Sequence, residues 1–343
     1  MIDEFIDALT DSIKERFGVL DQAYIDDLLL EVRKDAENEL QTRFTVRYVY
    51  PGSPAAEVGI RAEDRLLRLS DKPVTDVASA WEILGNYEPK QKLRVAVERG
   101  DETKEFELEL ASLPAATPEN LPAARKPVEA PAAQRPPVGE VNIKLPEETN
   151  ECFAYVPDNY HPDVAYGSVV WLHEPGGVER AKLIEAWRDL CRANDLILLV
   201  PQSADPKRWL PTELDFIRKT LDEVISKYKI DRTRIVACGH QTGGAMALLT
   251  AFSHRSLIRA VAATDTALPG RVQVPANDPI ERLALLLTVA EKFDGADRLA
   301  EQVKRLQEMK YPVILRKHPD DSRPLDDKER AELVRWIDTL DRL

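Results

Sequence analysis

Cysteine is scarce. There are three in 343 residues, at Cys152, Cys191 and Cys238, an odd set with no C-x-x-C spacing. That excludes a disulfide framework and gives no zinc or redox motif, leaving the thiols as small buried hydrophobes. No metal and no cofactor is expected. Long apolar runs are missing as well: no stretch reaches the 18 or so residues of a membrane-spanning helix. The start of the chain, Met1-Ile2-Asp3-Glu4-Phe5-Ile6-Asp7, has neither the basic region nor the apolar core of a secretory signal. As written, the chain is expected in the cytoplasm; a periplasmic or envelope location follows if the natural N-terminus extends further. Positive charge is in deficit, with a net charge of −13. The first 40 residues hold 12 acidic and four basic side chains. An acidic chain repels phosphate backbones, so nucleic acid is excluded as a partner.

What is present falls into four stretches. In residues 1–42, Phe5, Ile6, Leu9 and Ile13 share one helical face, Gly18 interrupts, and Tyr24, Ile25, Leu28, Leu29 and Val32 resume it. This helical segment would dock on a neighbouring domain or pair with a second copy as a homodimer. Residues 43–112 carry strand-like runs at Phe44 to Tyr50, Leu66 to Leu69, Leu93 to Arg99 and Phe106 to Leu110, with helical spacing from Val77 to Leu84. Between 111 and 139, seven prolines and eight alanines appear without apolar periodicity. Such a stretch buries too little surface to offset its ordering entropy, so 113–139 reads as an interdomain linker. From 140 to 343, continuous apolar strands alternate with helices, which predicts a mostly parallel, doubly wound α/β sheet covered on both faces.

In the second stretch, Pro51-Gly52 turns the chain. Ser53-Pro54 opens a short helix with proline at its first position, and Gly59 ends it before Ile60, Asp64 and Leu66-Leu67. The run PGSPAAEVGIRAEDRLLRLSDKPVTD resembles the core motif of bacterial PDZ domains, as in HtrA-type proteases. The resemblance implies a small α+β domain that binds an extended peptide by strand addition beside Val77 to Leu84. The glycine-containing loop that would take the peptide's C-terminal carboxylate is not visible in residues 31–43, EVRKDAENELQTR. Packing or assembly is therefore an alternative use of this fold.

In the last stretch, Arg234 to Cys238 is a strand. Gly239-His240-Gln241-Thr242-Gly243-Gly244 and a small-residue helix follow it. With Tyr228-Lys229-Ile230-Asp231-Arg232-Thr233-Arg234 upstream, and Tyr155 to Tyr160 and Val169 to His173 earlier, this resembles polyhydroxybutyrate-depolymerase and feruloyl-esterase-like α/β hydrolases. That family's elbow, G-x-S-x-G, places a nucleophilic serine on a sharp strand-to-helix turn. Here Gln241 stands at the serine's place. A primary amide has no ionisable nucleophile, and no neighbouring base makes it one. Thr242 is one position displaced, and shifting the register to use it would put bulky His240 where a small residue is needed.

The oxyanion loop of the family corresponds to His173-Glu174-Pro175-Gly176-Gly177. Proline offers no N–H, and Glu174 brings negative charge where negative charge would develop. The resemblance implies an acid after the strand at Leu283 to Val289, where Glu291 and Asp294 are alternatives. It implies a histidine after the strand at Pro312 to Arg316, where His318 lies. The expectation is a non-catalytic protein-binding scaffold, an adaptor to or fragment of a serine-protease-associated protein. Its peptide partner would sit on the PDZ-like module, and a small molecule or peptide in the old pocket. The alternative is an active but atypical esterase or peptidase.

Overall fold

The computed structural model describes residues 44–112, 136–162, 164–270, 274–278, 280–319 and 321–341. The helical segment at 1–42 and most of the linker at 113–139 lie outside the described residues. The chain divides into two compact units, Met1–Ser112 and Leu113–Leu343.

In the first unit, Ser53 caps a single-turn helix α1 (Pro54–Glu57), its hydroxyl accepting from the Ala56 N–H, with proline at the first position. Gly59 then turns the chain at φ 87°, a conformation glycine adopts without steric cost. Strands β1 (Arg65–Leu69) and β2 (Lys72–Pro73) follow. Helix α2 (Val77–Leu84) is fixed by a reciprocal capping box between Asp76 and Ser79. Strands β3 (Lys92–Arg99) and β4 (Glu102–Glu109) complete an antiparallel sheet of order β2-β1-β3-β4. Ile60, Leu66, Leu69, Ala80, Ile83, Leu93, Val95 and Val97 form its core. The run Phe44 to Tyr50, expected as a strand, makes only the isolated bridge Thr45↔Arg65. Phe44, Val46 and Val49 still pack on the core. Their pairing stops where the partner chain turns at Glu63, held at φ 76° with its N–H on the Val46 carbonyl.

The second unit is built on eight strands. These are β5 (Gly139–Ile143), β6 (Cys152–Val156), β7 (Tyr166–Leu172), β8 (Leu196–Pro201), β9 (Ile230–His240), β10 (Ala260–Thr264), β11 (Ala284–Ala290) and β12 (Val313–His318). Their order is β12-β11-β10-β9-β7-β8-β6-β5, with antiparallel pairing only around β6. The central strands are buried along nearly their whole length, as continuous apolar runs require when both faces are covered. Helices α4 (Glu213–Lys227), α5 (Gln241–Ser253) and α6 (Ala296–Glu308) close one face through Phe216, Ile217, Met246, Leu248, Leu299 and Val303. Helices α3 (Arg180–Asn194) and α7 (Asp327–Ile337) close the other through Ile184, Trp187, Leu333 and Trp336.

The three cysteines are buried and free. Burial pushes the Cys152 and Cys238 thiols up to about 12, so they are inert hydrophobes. From β7 the chain moves to β8 on one side, then returns past β7 to β9. That reversal opens a crevice at the carboxyl ends of β7 and β9, where open α/β sheets place their sites.

Candidate functional site

Strand β9 runs directly into helix α5. His240 is still extended, and Gln241 is held at φ 46°. A left-handed backbone costs a non-glycine residue roughly 1–2 kcal/mol, and close packing on both sides imposes it. A Cβ on Gly243 would meet the Leu172 carbonyl oxygen at 2.0 Å, and one on Gly239 would meet Gly243 at 2.4 Å. One on Gly244 would lie 2.9 Å from both Gly239 and Thr266. The glycines let α5 press onto β7 and β9, and the strain falls on the residue at the apex. That residue is Gln241. Its side chain is exposed and its Nε2 donates to the Ser322 hydroxyl at 2.8 Å. The Thr242 hydroxyl faces the same cleft and meets no imidazole among the described residues.

Three loops surround the apex. After β7, the Trp209 indole donates to the His173 carbonyl at 2.8 Å, and His173 Nδ1 meets the Glu174 carbonyl at 2.5 Å. Burial holds His173 below the ordinary imidazole range, with the Glu174 contact opposing it. Gly176 and Gly177 take φ of 110° and 100°, with Pro175 before them. The Glu174 carboxylate reaches His240, Oε1 to Nδ1 at 2.5 Å. Its charge is thus engaged by an imidazole beside the elbow.

After β10, Asp265 sits at φ 49° with its side chain buried. It accepts from the Ala290 N–H at 2.7 Å and the Arg323 N–H at 3.2 Å. Burial opposes its charge, but these N–H groups, the Ser322 hydroxyl and nearby His318 outweigh it and hold the carboxyl below its usual range. Asp265 lies between two imidazoles: His240 Nε2 is 3.3 Å from Oδ2 and His318 Nε2 is 3.5 Å from Oδ1. His318 ends β12, is buried, and neither of its ring nitrogens makes a hydrogen bond.

Glu291 and Asp294 are both exposed at the end of β11, and neither pairs with His318 among the described residues. The carboxylate that faces His318 is Asp265. Sequence reasoning passed over it, although a carboxylate just beyond a parallel strand sits where functional groups gather. Ser322, in the exposed Asp321-Ser322-Arg323 loop, left no such signal. Gln241, Thr242, Asp265, Phe293, Asp294 and Ser322 line a cleft of about 540 Å³. Among the described residues no group of His, Cys, Asp and Glu is placed to hold a metal ion, and no helix is long and apolar enough to cross a membrane.

In the first unit, Pro51-Gly52 forms the turn, with Gly52 at φ 72°, and Asp64 is buried beneath it in sequence at the entry to β1. Its carboxylate takes two hydrogen bonds of 2.6 Å from Arg99 and one of 2.8 Å from the Arg61 N–H. Burial opposes the charge, yet these donors hold the Asp64 carboxyl below its usual range. Arg99 also donates to the Gly59 carbonyl at 2.8 Å, tying the end of α1 to β3.

Residues 27–110 match the family model described as PDZ domain. The match begins inside the stretch whose spacing reads as helical. No curated protein matches the chain. Among solved structures the chain is similar to a ferulic acid esterase, at 14% identity over 59% of this chain and 98% of that one, with a TM-score of 0.46. It is similar to a Bacillus cereus carboxylesterase at 18% identity, over 57% of this chain and 96% of that one, with a TM-score of 0.44. A substrate-bound Staphylococcus aureus fluorophosphonate-binding serine hydrolase gives 11% identity, 60% and 98% coverage, and a TM-score of 0.44. What characterises the second unit is its own sheet order and its strand–elbow–helix turn. The chain joins a PDZ domain to a domain of the α/β-hydrolase fold.

Proposed function

We propose that the chain is a protein-binding scaffold, an adaptor in which the PDZ domain engages an extended peptide and the hydrolase-fold domain has given up acyl transfer from its elbow. The observation that carries the second half is Gln241, held at φ 46° where the fold presents its nucleophile. An amide there can donate and accept hydrogen bonds but cannot form an acyl intermediate. Pro175 removes an N–H from the loop that would face the developing oxyanion, a loss worth on the order of 3 kcal/mol per donor. The intact cleft of about 540 Å³ then serves to bind a small molecule or peptide. The peptide-binding half is supported by the family match and by α2, the helix beside which such domains add a strand.

The test is a titration of the full chain with labelled peptides of varied C-terminal sequence, each as free acid and as amide. Saturable binding that is lost on amidation supports capture of a C-terminus by the PDZ domain. Absence of binding across the set removes the peptide-capture reading and leaves packing or assembly.

A further inference from the structure

Silence at the elbow does not extend to the whole cleft. We propose that Ser322 is a displaced nucleophile, with His240 as its general base and Glu174 as the carboxylate that orients that base, and that the cleft accepts a short acyl ester. Ser322 Oγ lies 3.1 Å from His240 Nε2, and His240 Nδ1 lies 2.5 Å from Glu174 Oε1. An imidazole that donates its Nδ1–H to a carboxylate turns the lone pair of Nε2 toward the hydroxyl. Hydroxyl, base and orienting carboxylate are therefore in line, each within contact of the next.

Two neighbours define the hydroxyl further. Gln241 Nε2 donates to Ser322 Oγ at 2.8 Å, which occupies one oxygen lone pair and turns the O–H away from the apex. Asp265 is the second acceptor within reach, hydrogen-bonded to Ser322 and 3.3 Å from His240 Nε2. At neutral pH an imidazole is a better proton acceptor than a carboxylate, so the transferred proton goes to His240. The ring is buried and cannot swing to solvent, whereas Ser322 is exposed to the cleft, where Ala245, Ala267 and Phe293 offer apolar wall for an acyl chain.

The step balances with these groups alone. Ser322 Oγ bonds to the ester carbonyl carbon while its proton passes to His240 Nε2, and Glu174 holds the imidazolium through Nδ1. The tetrahedral intermediate collapses, the bond to the alkoxide breaks, and His240 returns the proton to the departing alcohol. Water, activated by the same ring, then releases the acid and regenerates Ser322. This goes beyond the scaffold reading: the elbow plays no covalent part, and peptide capture by the first unit is independent of either outcome.

The full chain is incubated with an alkyl fluorophosphonate, which phosphonylates an activated serine with loss of fluoride, and the adduct is located by peptide mass spectrometry. The expected result is one adduct, on Ser322, absent in Ser322→Ala. Labelling is expected to slow about 100-fold in His240→Gln, the usual size of a lost general base. Glu174→Gln, at a half-exposed position that tolerates change, is expected to slow labelling about tenfold and to move the pH at which the rate reaches its plateau, which a purely structural role would not do. Peptide binding is measured on the same samples, so that loss of fold is seen separately. A folded native chain that takes no label, a label on another residue, or a rate indifferent to both His240→Gln and Glu174→Gln overturns the proposal.

Discussion

At Gln241 the backbone is held in the left-handed region by the packing of Gly239, Gly243 and Gly244, whatever side chain the apex carries. Replacing Gln241 with glycine removes that penalty. The second unit should gain about 1 kcal/mol in urea unfolding; a loss of the same size would show that the apex is not strained. Asp265 makes a prediction about pH. Its folded carboxyl is held below the ordinary aspartate value, so its charge stabilises the fold above the unfolded value of about 3.9. That contribution is lost as pH falls from there through the folded value. Asp265→Asn should therefore lower the urea midpoint at pH 7 and leave it nearly unchanged near pH 3. An equal loss at both pH values would assign the effect to packing. The two residues also differ in legibility. Gln241 could be placed from sequence because the surrounding glycines mark the turn by sterics alone. Asp265, Ser322 and the reach of Glu174 to His240 depend on loops from distant strands meeting at one edge, and no spacing records that.

Elements whose faces are both covered were legible from their apolar runs: β8, β9, β10 and β11 begin and end within a few residues of where composition puts them, and α2 spans the expected Val77–Leu84. The failure at Phe44 to Tyr50 has a local cause. Alternating residues fit a strand, but the left-handed turn at Glu63 takes its partner away after one bridge. The elbow is the element most sensitive to volume. Gly243→Ala puts a methyl group 2.0 Å from the Leu172 carbonyl oxygen, and α5 must move off β7 to admit it. A destabilisation of about 3 kcal/mol is expected from denaturant unfolding. A change within a few tenths of that baseline would show that the helix does not sit where its contacts place it.

Across the whole molecule, the Pro/Ala-rich stretch at 113–139 separates a small antiparallel unit from a large parallel one. Its composition predicts that elastase, which cuts after small residues, cleaves there first and leaves two lasting fragments detectable by mass; early cleavage within 140–343 would contradict that division. In the first unit the buried Asp64–Arg99 pair ties α1 to β3. Asp64→Asn should cost on the order of 3 kcal/mol, because it removes one partner of a buried pair, measured as a lower unfolding midpoint of that unit. The central claim concerns where acyl chemistry is absent. The direct measurement exposes the full chain to p-nitrophenyl acetate, quenches it in acid, and maps every acetylated residue by tandem mass spectrometry. An elbow without a nucleophile predicts no acetyl group anywhere in Gly239 to Gly244; an acetyl group on Thr242, removed by Thr242→Val, would contradict it.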